Sequence, residues 1–356
     1  MSARRPEIAG ALCGVTAAMT FGASAPVSKL LLPAIPPLLL AGLLYLGAGL
    51  ALSAFMLVRP ERHRAREARI SRRDVGILLG ITVTGGIAGP VLMLVGLERV
   101  SGLAGSLLLN LEAPFTILLA VLVFGEHLGR RATLAAIAIV SGGVLLSWQP
   151  GEMAAQLGGV AAIAGGCLAW GIDNNLTQRL SLKDPVAVVR WKTLGAGACT
   201  ASIALAVGVD VPDLRVAGGA MALGVVAYGL SILLDMYALR LLGAAREAAF
   251  FATAPFMGAV LALPLLGDRV GLGEAGAAVL MASGVWLLLR DRHGHLHTHA
   301  PMEHDHMHVH DEHHQHQHDG PFSEPHAHVH RHEALTHDHP HVSDLHHRHR
   351  HGRSDG

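Results

Sequence analysis

Charge is scarce in this 356-residue sequence. Only 15% of its residues are Asp, Glu, Lys or Arg, where a soluble chain of this length carries about a quarter. Aromatic residues make up 4%. The three cysteines, Cys13, Cys167 and Cys199, all fall in apolar stretches with no CxxC spacing. That excludes a disulfide framework and a thiolate metal centre, and leaves them as small buried apolar side chains. No HExxH, phosphate-cradling glycine loop or nucleophile–base motif is found, so nothing points to an enzyme or to a required cofactor. Nucleic acid is not an expected partner. Arg4 and Arg5 precede an apolar stretch with no convincing small-residue cleavage site, so that stretch reads as a membrane helix rather than a cleavable leader.

What the chain has instead is 51% hydrophobic residues and 42 glycines. A membrane-crossing helix needs about 20 mostly apolar residues. Ten such stretches are read at roughly 7–30, 36–58, 74–97, 101–124, 132–148, 157–180, 186–208, 217–240, 246–266 and 272–290. The expected fold is an all-α membrane protein of ten transmembrane helices. Gly and Ala allow such helices to approach closely where water supplies no driving force. Basic residues then orient it. Arg4, Arg5, the seven arginines between Arg59 and Arg73, and Arg130, Arg131, Arg179, Lys183, Arg240, Arg246, Arg290 and Arg292 share one side. Only Lys29, Arg99, Arg215 and Arg269 lie on the other. Seventeen against four places both termini in the cytoplasm by the positive-inside rule, in a bacterial-type inner membrane.

The chain also repeats itself. Arg99, Gly102 and Ala113-Pro114-Phe115 recur as Arg240, Gly243 and Ala254-Pro255-Phe256. Gly125-Glu126 recurs as Gly267-Asp268, Ser141-Gly142 as Ser283-Gly284, and Phe21-Gly22 as Trp170-Gly171. Five helices per copy is an odd number, so the second copy enters the bilayer inverted. Inverted repeats of this kind place a binding site near the repeat interface of secondary transporters. The expected domains are a first five-helix repeat over 1–148, a second over 149–290, and a tail over 291–356.

Two five-helix halves, each with a proline in the fourth helix, then Gly-Glu or Gly-Asp, then a small-residue fifth helix, resemble the EamA domains of the drug/metabolite transporter superfamily. The resemblance covers roughly residues 7–290. It implies a ten-helix carrier with both termini inside, moving amino acids, sugars, nucleotide sugars, other metabolites or toxic compounds, often outward in bacteria. Asp268 stands where that pattern usually has Glu.

Charged groups inside a span face a cavity or a partner. Glu112 lies near the middle of the fourth span, two residues before Pro114, and is the leading candidate for the cargo or the coupling ion. Asn110, two positions away, is expected on a different helix face. Asp173, Asn174, Lys192 and Asp235 fall at one depth, with Arg190 beside them, and predict an ion-paired network able to gate or to hold a zwitterion. Trp170 is a candidate for lining the site.

Of the 25 histidines, only His63 and His127 precede residue 291. The tail runs as His293/His295/His297/His299, His304/His306/His308/His310 and His326/His328/His330/His332, with acidic residues between. It has too few apolar residues to fold alone and is expected to be disordered. Neutral imidazole suits Zn, Ni or Co, so the tail is read as metal-binding. Three functions stay open: an exporter of a small, amino-acid-like or toxic metabolite; a carrier for a divalent metal captured or sensed by the tail; and a membrane-anchored metal buffer or sensor. The expected partners are the bilayer, a small-molecule or ionic cargo, and a second copy in a homodimer.

Overall fold

The computed structural model describes residues 4–59, 68–124, 129–147, 153–180, 183–242 and 244–290, together with the backbone of four strands within 293–341. The described body is helical throughout and resolves into ten helical units. These are α1 (Arg4–Gly22, continued by Ser24–Leu31), α2 (Pro37–Val58), α3 (Arg72–Leu97), α4 (Gly102–Leu108, Leu109–Leu111 and Glu112–Phe124) and α5 (Arg130–Ser147). The second five are α6 (Met153–Thr177), α7 (Pro185–Ala206), α8 (Leu214–Gly224, Val225–Leu230 and Ser231–Leu242), α9 (Ala244–Phe251 and Ala254–Leu266) and α10 (Leu272–Leu289). Eight are long and apolar enough to cross a membrane. The other two, α6 and α7, carry Asp173, Asn174 and Asn175 and Arg190 and Lys192 respectively, which lowers their apolar character. Large aliphatic side chains such as Leu57, Leu122 and Val279 face outward. A soluble surface would not carry so many; a bilayer needs them.

The helices pair across the two halves: α1 with α8, α2 with α7, α3 with α6, α4 with α9 and α5 with α10. An inverted duplication demands this pattern, because a contact of α1 with α8 requires one of α6 with α3. Individual residues obey it. A Cβ at Gly142 would lie 2.7 Å from Met281 Cγ and 3.1 Å from the Ala277 oxygen. At Gly284, its twin, a Cβ would lie 2.6 Å from Ile139 and 2.8 Å from the Ala135 oxygen. Each glycine thus lets α5 and α10 touch backbone to side chain at one of two symmetry-related points.

Local breaks repeat too. α3 opens into a π turn at Thr82–Ala88, and α8 does so at Val225–Leu230. In α4, Pro114 cannot donate to the Asn110 carbonyl, and the preceding turn tightens to a 3-10 turn at Leu109–Leu111. In α9, Pro255 has the same effect on Phe251, and the helix is interrupted between Phe251 and Ala254. Both discontinuities fall on the matched Ala-Pro-Phe triplets.

Side-chain clamps tie the two faces. On the face bearing the arginine-rich segment, Arg59 Nη1 donates to both Asp184 oxygens at 3.0 and 2.9 Å with both side chains nearly buried. Asp184 also caps α7 through Val186 N–H, and its own N–H donates to the Ala68 oxygen. On the opposite face, Lys29 Nζ donates to the Leu97 and Val100 oxygens, and the Leu103 N–H donates to Asp268 Oδ2 at 2.8 Å.

Beyond Arg290, where the sequence predicts a segment without folded structure, the backbone forms four seven-residue strands: β1 (His293–His299), β2 (Met302–His308), β3 (His326–His332) and β4 (Leu335–His341). β1 pairs antiparallel with β4 and β2 with β3. The H-x-H alternation has the two-residue period of a strand, and that period carries the difference from the expected irregular chain. In register, His295 stands opposite His339 and His297 opposite His337, while His306 stands opposite His328 and His330 opposite His304. Two-stranded ladders are marginal in water by themselves, which accords with a segment holding few apolar residues to bury.

Candidate functional site

The two helix breaks face one another, and a cavity of about 360 Å³ lies between them. Its walls are unlike. From α4 come Asn110, Glu112 and Thr116, joined by Asn174 of α6; from α1, α9 and α10 come Phe21, Phe251, Pro255, Val285 and Leu288. Because it reaches Ala248 near the start of α9 and Leu289 at the end of α10, it lies nearer the face that carries Arg59 and Arg290.

Glu112 is the first residue of the lower half of α4. Its Oε1 accepts a hydrogen bond from Asn174 Nδ2 at 2.7 Å, which ties the two repeats together at the cavity wall. Asn110 lines the same cavity and donates from Nδ2 to the Leu107 oxygen at 2.9 Å. On an α-helix, positions 110 and 112 would point about 160° apart. The 3-10 turn advances about 120° per residue, which narrows that separation to about 120° and lets both side chains reach the cavity. Cys167 Sγ sits 3.6 Å from the Leu108 oxygen at the same break.

Three other candidates stand behind this wall. Trp170 Nε1 donates to the Gly85 oxygen at 3.1 Å, and Tyr45 Oη donates to that same oxygen at 3.0 Å, so the π turn of α3 has its exposed carbonyl doubly satisfied. Asp173 is paired with Lys192 at 2.6 Å and rests on Gly85, where a Cβ would come within 2.2 Å of its carboxyl carbon. Among the described residues, Asp173 Oδ1 has no hydrogen-bond partner. Neither Asp173, Lys192 nor Trp170 lines the cavity.

The four charged residues expected at one depth fall into three arrangements: Asp173 with Lys192, Arg190 with Trp191, and Asp235 with Glu247. Arg190 stacks its guanidinium 4.6 Å from the Trp191 ring centre. Asp235 lies beside the Glu247 carboxyl, a neighbour that sequence inspection passed over. Phe21 and Phe251, whose ring centres are 5.0 Å apart, were also missed. Their signal was present: Phe21 is the twin of Trp170, and Phe251 is the twin of Asn110.

Among the described residues searched, no group of three or more His, Cys, Asp or Glu is arranged to hold a metal ion. The tail histidines singled out as ligands fall on three strands. His293, His295, His297 and His299 fall on β1, and His304, His306 and His308 on β2. His326, His328, His330 and His332 fall on β3. An extended backbone rises about 3.3 Å per residue, so alternate histidines of one strand are set about 7 Å apart along it. His310, the twelfth, lies outside the described residues.

The sequence matches the EamA-like transporter family over residues 8–148 and 157–290. It is 29% identical over 289 residues to an uncharacterized transporter of Methanothermobacter thermautotrophicus, covering 77% of this chain and 84% of that one. It is 34% identical over 192 residues to an uncharacterized protein of Pseudomonas aeruginosa, covering 53% of this chain and 66% of the other. One crystal structure superposes with a TM-score of 0.59 at 19% identity, over 79% of this chain and 97% of its own, a likeness of fold. The family match spans both halves, the inverted pairing of helices meets it residue by residue, and the chain belongs to the EamA-like transporter family of membrane transporters.

Proposed function

We propose that this transporter exports a small organic solute, and that the solute binds in the cavity between the two broken helices with Glu112 as its anchoring charge. The observation that carries the reading is the meeting of two discontinuous helices from opposite repeats around one carboxyl group. Discontinuous helices at a repeat interface are where secondary transporters bind cargo, and an ionisable side chain inside a span marks such a site. The cavity lies toward the basic face. If that face is cytoplasmic, as the arginine distribution favours, the cavity is on the side from which an exported solute loads. Asn110 and Asn174 flank the carboxyl group, while Trp170 and Asp173 hold α6 against α3, and the Asp173–Lys192 pair ties it to α7, which together place Asn174.

A divalent-metal cargo is less well supported, since the described helical body offers no cluster of ligands. The tail's histidines remain suited to binding such ions, in a buffering or sensing role beside transport.

The test is flux in proteoliposomes, comparing full-length protein, the Glu112→Gln variant, and a chain ending at Arg292, across organic solutes and divalent metals. The expected result is organic-solute movement that is abolished in Glu112→Gln and retained by the shortened chain. Metal flux that depends on the tail would overturn the proposal.

A further inference from the structure

We propose that the cargo is a small amphipathic organic monocation, its positive group held at Glu112 and its apolar body laid along the α9–α10 wall. This rests on the cavity being the cargo site, and it names the chemistry that the site selects.

Charge is the first argument. Glu112 is the sole ionisable side chain lining the cavity among the described residues. The nearest candidate for neutralising an anionic group is Lys192, but its ammonium is 2.6 Å from Asp173 and does not reach the cavity. Arg190 stacks on Trp191. A solute carboxylate would therefore enter a largely apolar site lined by one carboxylate and, among the described residues, by no cation, where its charge has no partner. That disfavours anions and amino acids alike. A divalent metal fares no better, because one carboxylate and two amides supply neither the imidazole or thiolate set of about four ligands that zinc takes nor the six to eight oxygens of a calcium site.

Shape and polarity come next. A volume of about 360 Å³ lies at the low end of ligand pockets, which run from about 300 to 1,000 Å³. The cargo is small. The polar groups gather on one side, around Glu112, and the opposite wall is built from Phe21, Phe251, Pro255, Val285 and Leu288. Phe21 and Phe251, tilted at 41°, add aromatic surface of the kind that attracts alkylammonium groups. Duplication makes the asymmetry informative: the twin of Glu112 is Thr253 and the twin of Asn110 is Phe251. One repeat keeps the charge and the other supplies the grease, so the site matches a molecule with one charged end.

Calorimetry on the full-length protein in detergent tests this with four probes of similar size: benzyltrimethylammonium, benzyl alcohol, phenylalanine and 3-phenylpropionate. The cation is expected to bind at least about ten-fold more tightly than each of the others, and Glu112→Gln to remove at least about ten-fold of that affinity. Moving the carboxylate across its hydrogen bond, with Glu112→Gln combined with Asn174→Asp, is expected to restore part of it in a protein of unchanged melting temperature. Absent cation binding, equal or tighter binding of phenylalanine or phenylpropionate, or cation affinity indifferent to Glu112→Gln, would each overturn the proposal. So would a folded swap variant that stays as weak as Glu112→Gln. Phenylalanine flux that Glu112→Gln abolishes would reject the cation and keep the carrier. Organic flux that ignores Glu112→Gln would reject both.

Discussion

Replacing Asp173 by Asn tests whether the ion pair behind the cavity is scaffold or machinery. Asp173 is 5% exposed, lies 2.6 Å from Lys192, and is pressed against Gly85. Asp173→Asn keeps the shape and leaves the Lys192 ammonium without its counter-ion. Breaking a buried pair from one side costs about 3–5 kcal/mol, while removing both charges is close to neutral. The single variant should therefore lose roughly two to three and a half orders of magnitude in its folded-to-unfolded ratio. Lys192→Met should lose a comparable amount, because Asp173 Oδ1 already lacks a hydrogen-bond partner among the described residues and Oδ2 would then join it. The double variant should return to within about 1 kcal/mol of the parent. Reversible unfolding in mixed detergent micelles, followed by tryptophan fluorescence, completes the cycle, whose coupling term is the quantity sought. If each single change costs under about 1 kcal/mol, or the double change equals their sum, the pair is not the buried contact described. Transport adds the second reading. A double variant that is stable and still transports marks the pair as a positioning element for Asn174; one that is stable and inactive gives the charges a direct part in the cycle.

Two further outcomes are expected. Gly284→Leu forces α10 off Ile139 and the Ala135 carbonyl and should cost at least about 1–3 kcal/mol by overpacking; Gly142→Leu, its twin, should cost a similar amount in the same unfolding assay. Ending the chain at Arg292 should abolish retention on immobilised nickel and leave the melting temperature of the helical body within a degree or two. A large drop would mean that the tail braces the membrane domain.

Much of this architecture was legible in the sequence because lipid imposes few solutions. Apolar runs of fixed length, alternating basic loops and an ordered series of matches led to ten helices in two inverted copies. Glu112 stood out for the same reason, as a carboxyl deep in an apolar run beside a proline. What escaped was geometry that periodicity does not encode. Placing Asn110 and Glu112 on different faces assumed a regular helix, and the 3-10 turn at Leu109–Leu111 brings both to one cavity. Equal depth suggested that Asp235 joins Asp173 and Lys192, yet depth says nothing of azimuth, and Asp235 turns to Glu247 instead. The π turns carry no composition signal beyond Gly85-Gly86. Phe251 sits in an apolar run with nothing to single it out except its alignment with Asn110.

The paired glycines of α5 and α10 bear on how such a molecule moves. Gly142 against Met281 and Gly284 against Ile139 are one contact written twice, so the same close approach is built into both halves. A state in which the halves trade shapes would reuse the same interfaces with the roles reversed, and the cavity would then open toward the other side of the membrane. The residues that break the duplication would then separate the two states. Glu112, whose twin is Thr253, is the foremost of these, so its occupancy becomes the weight that tips the balance.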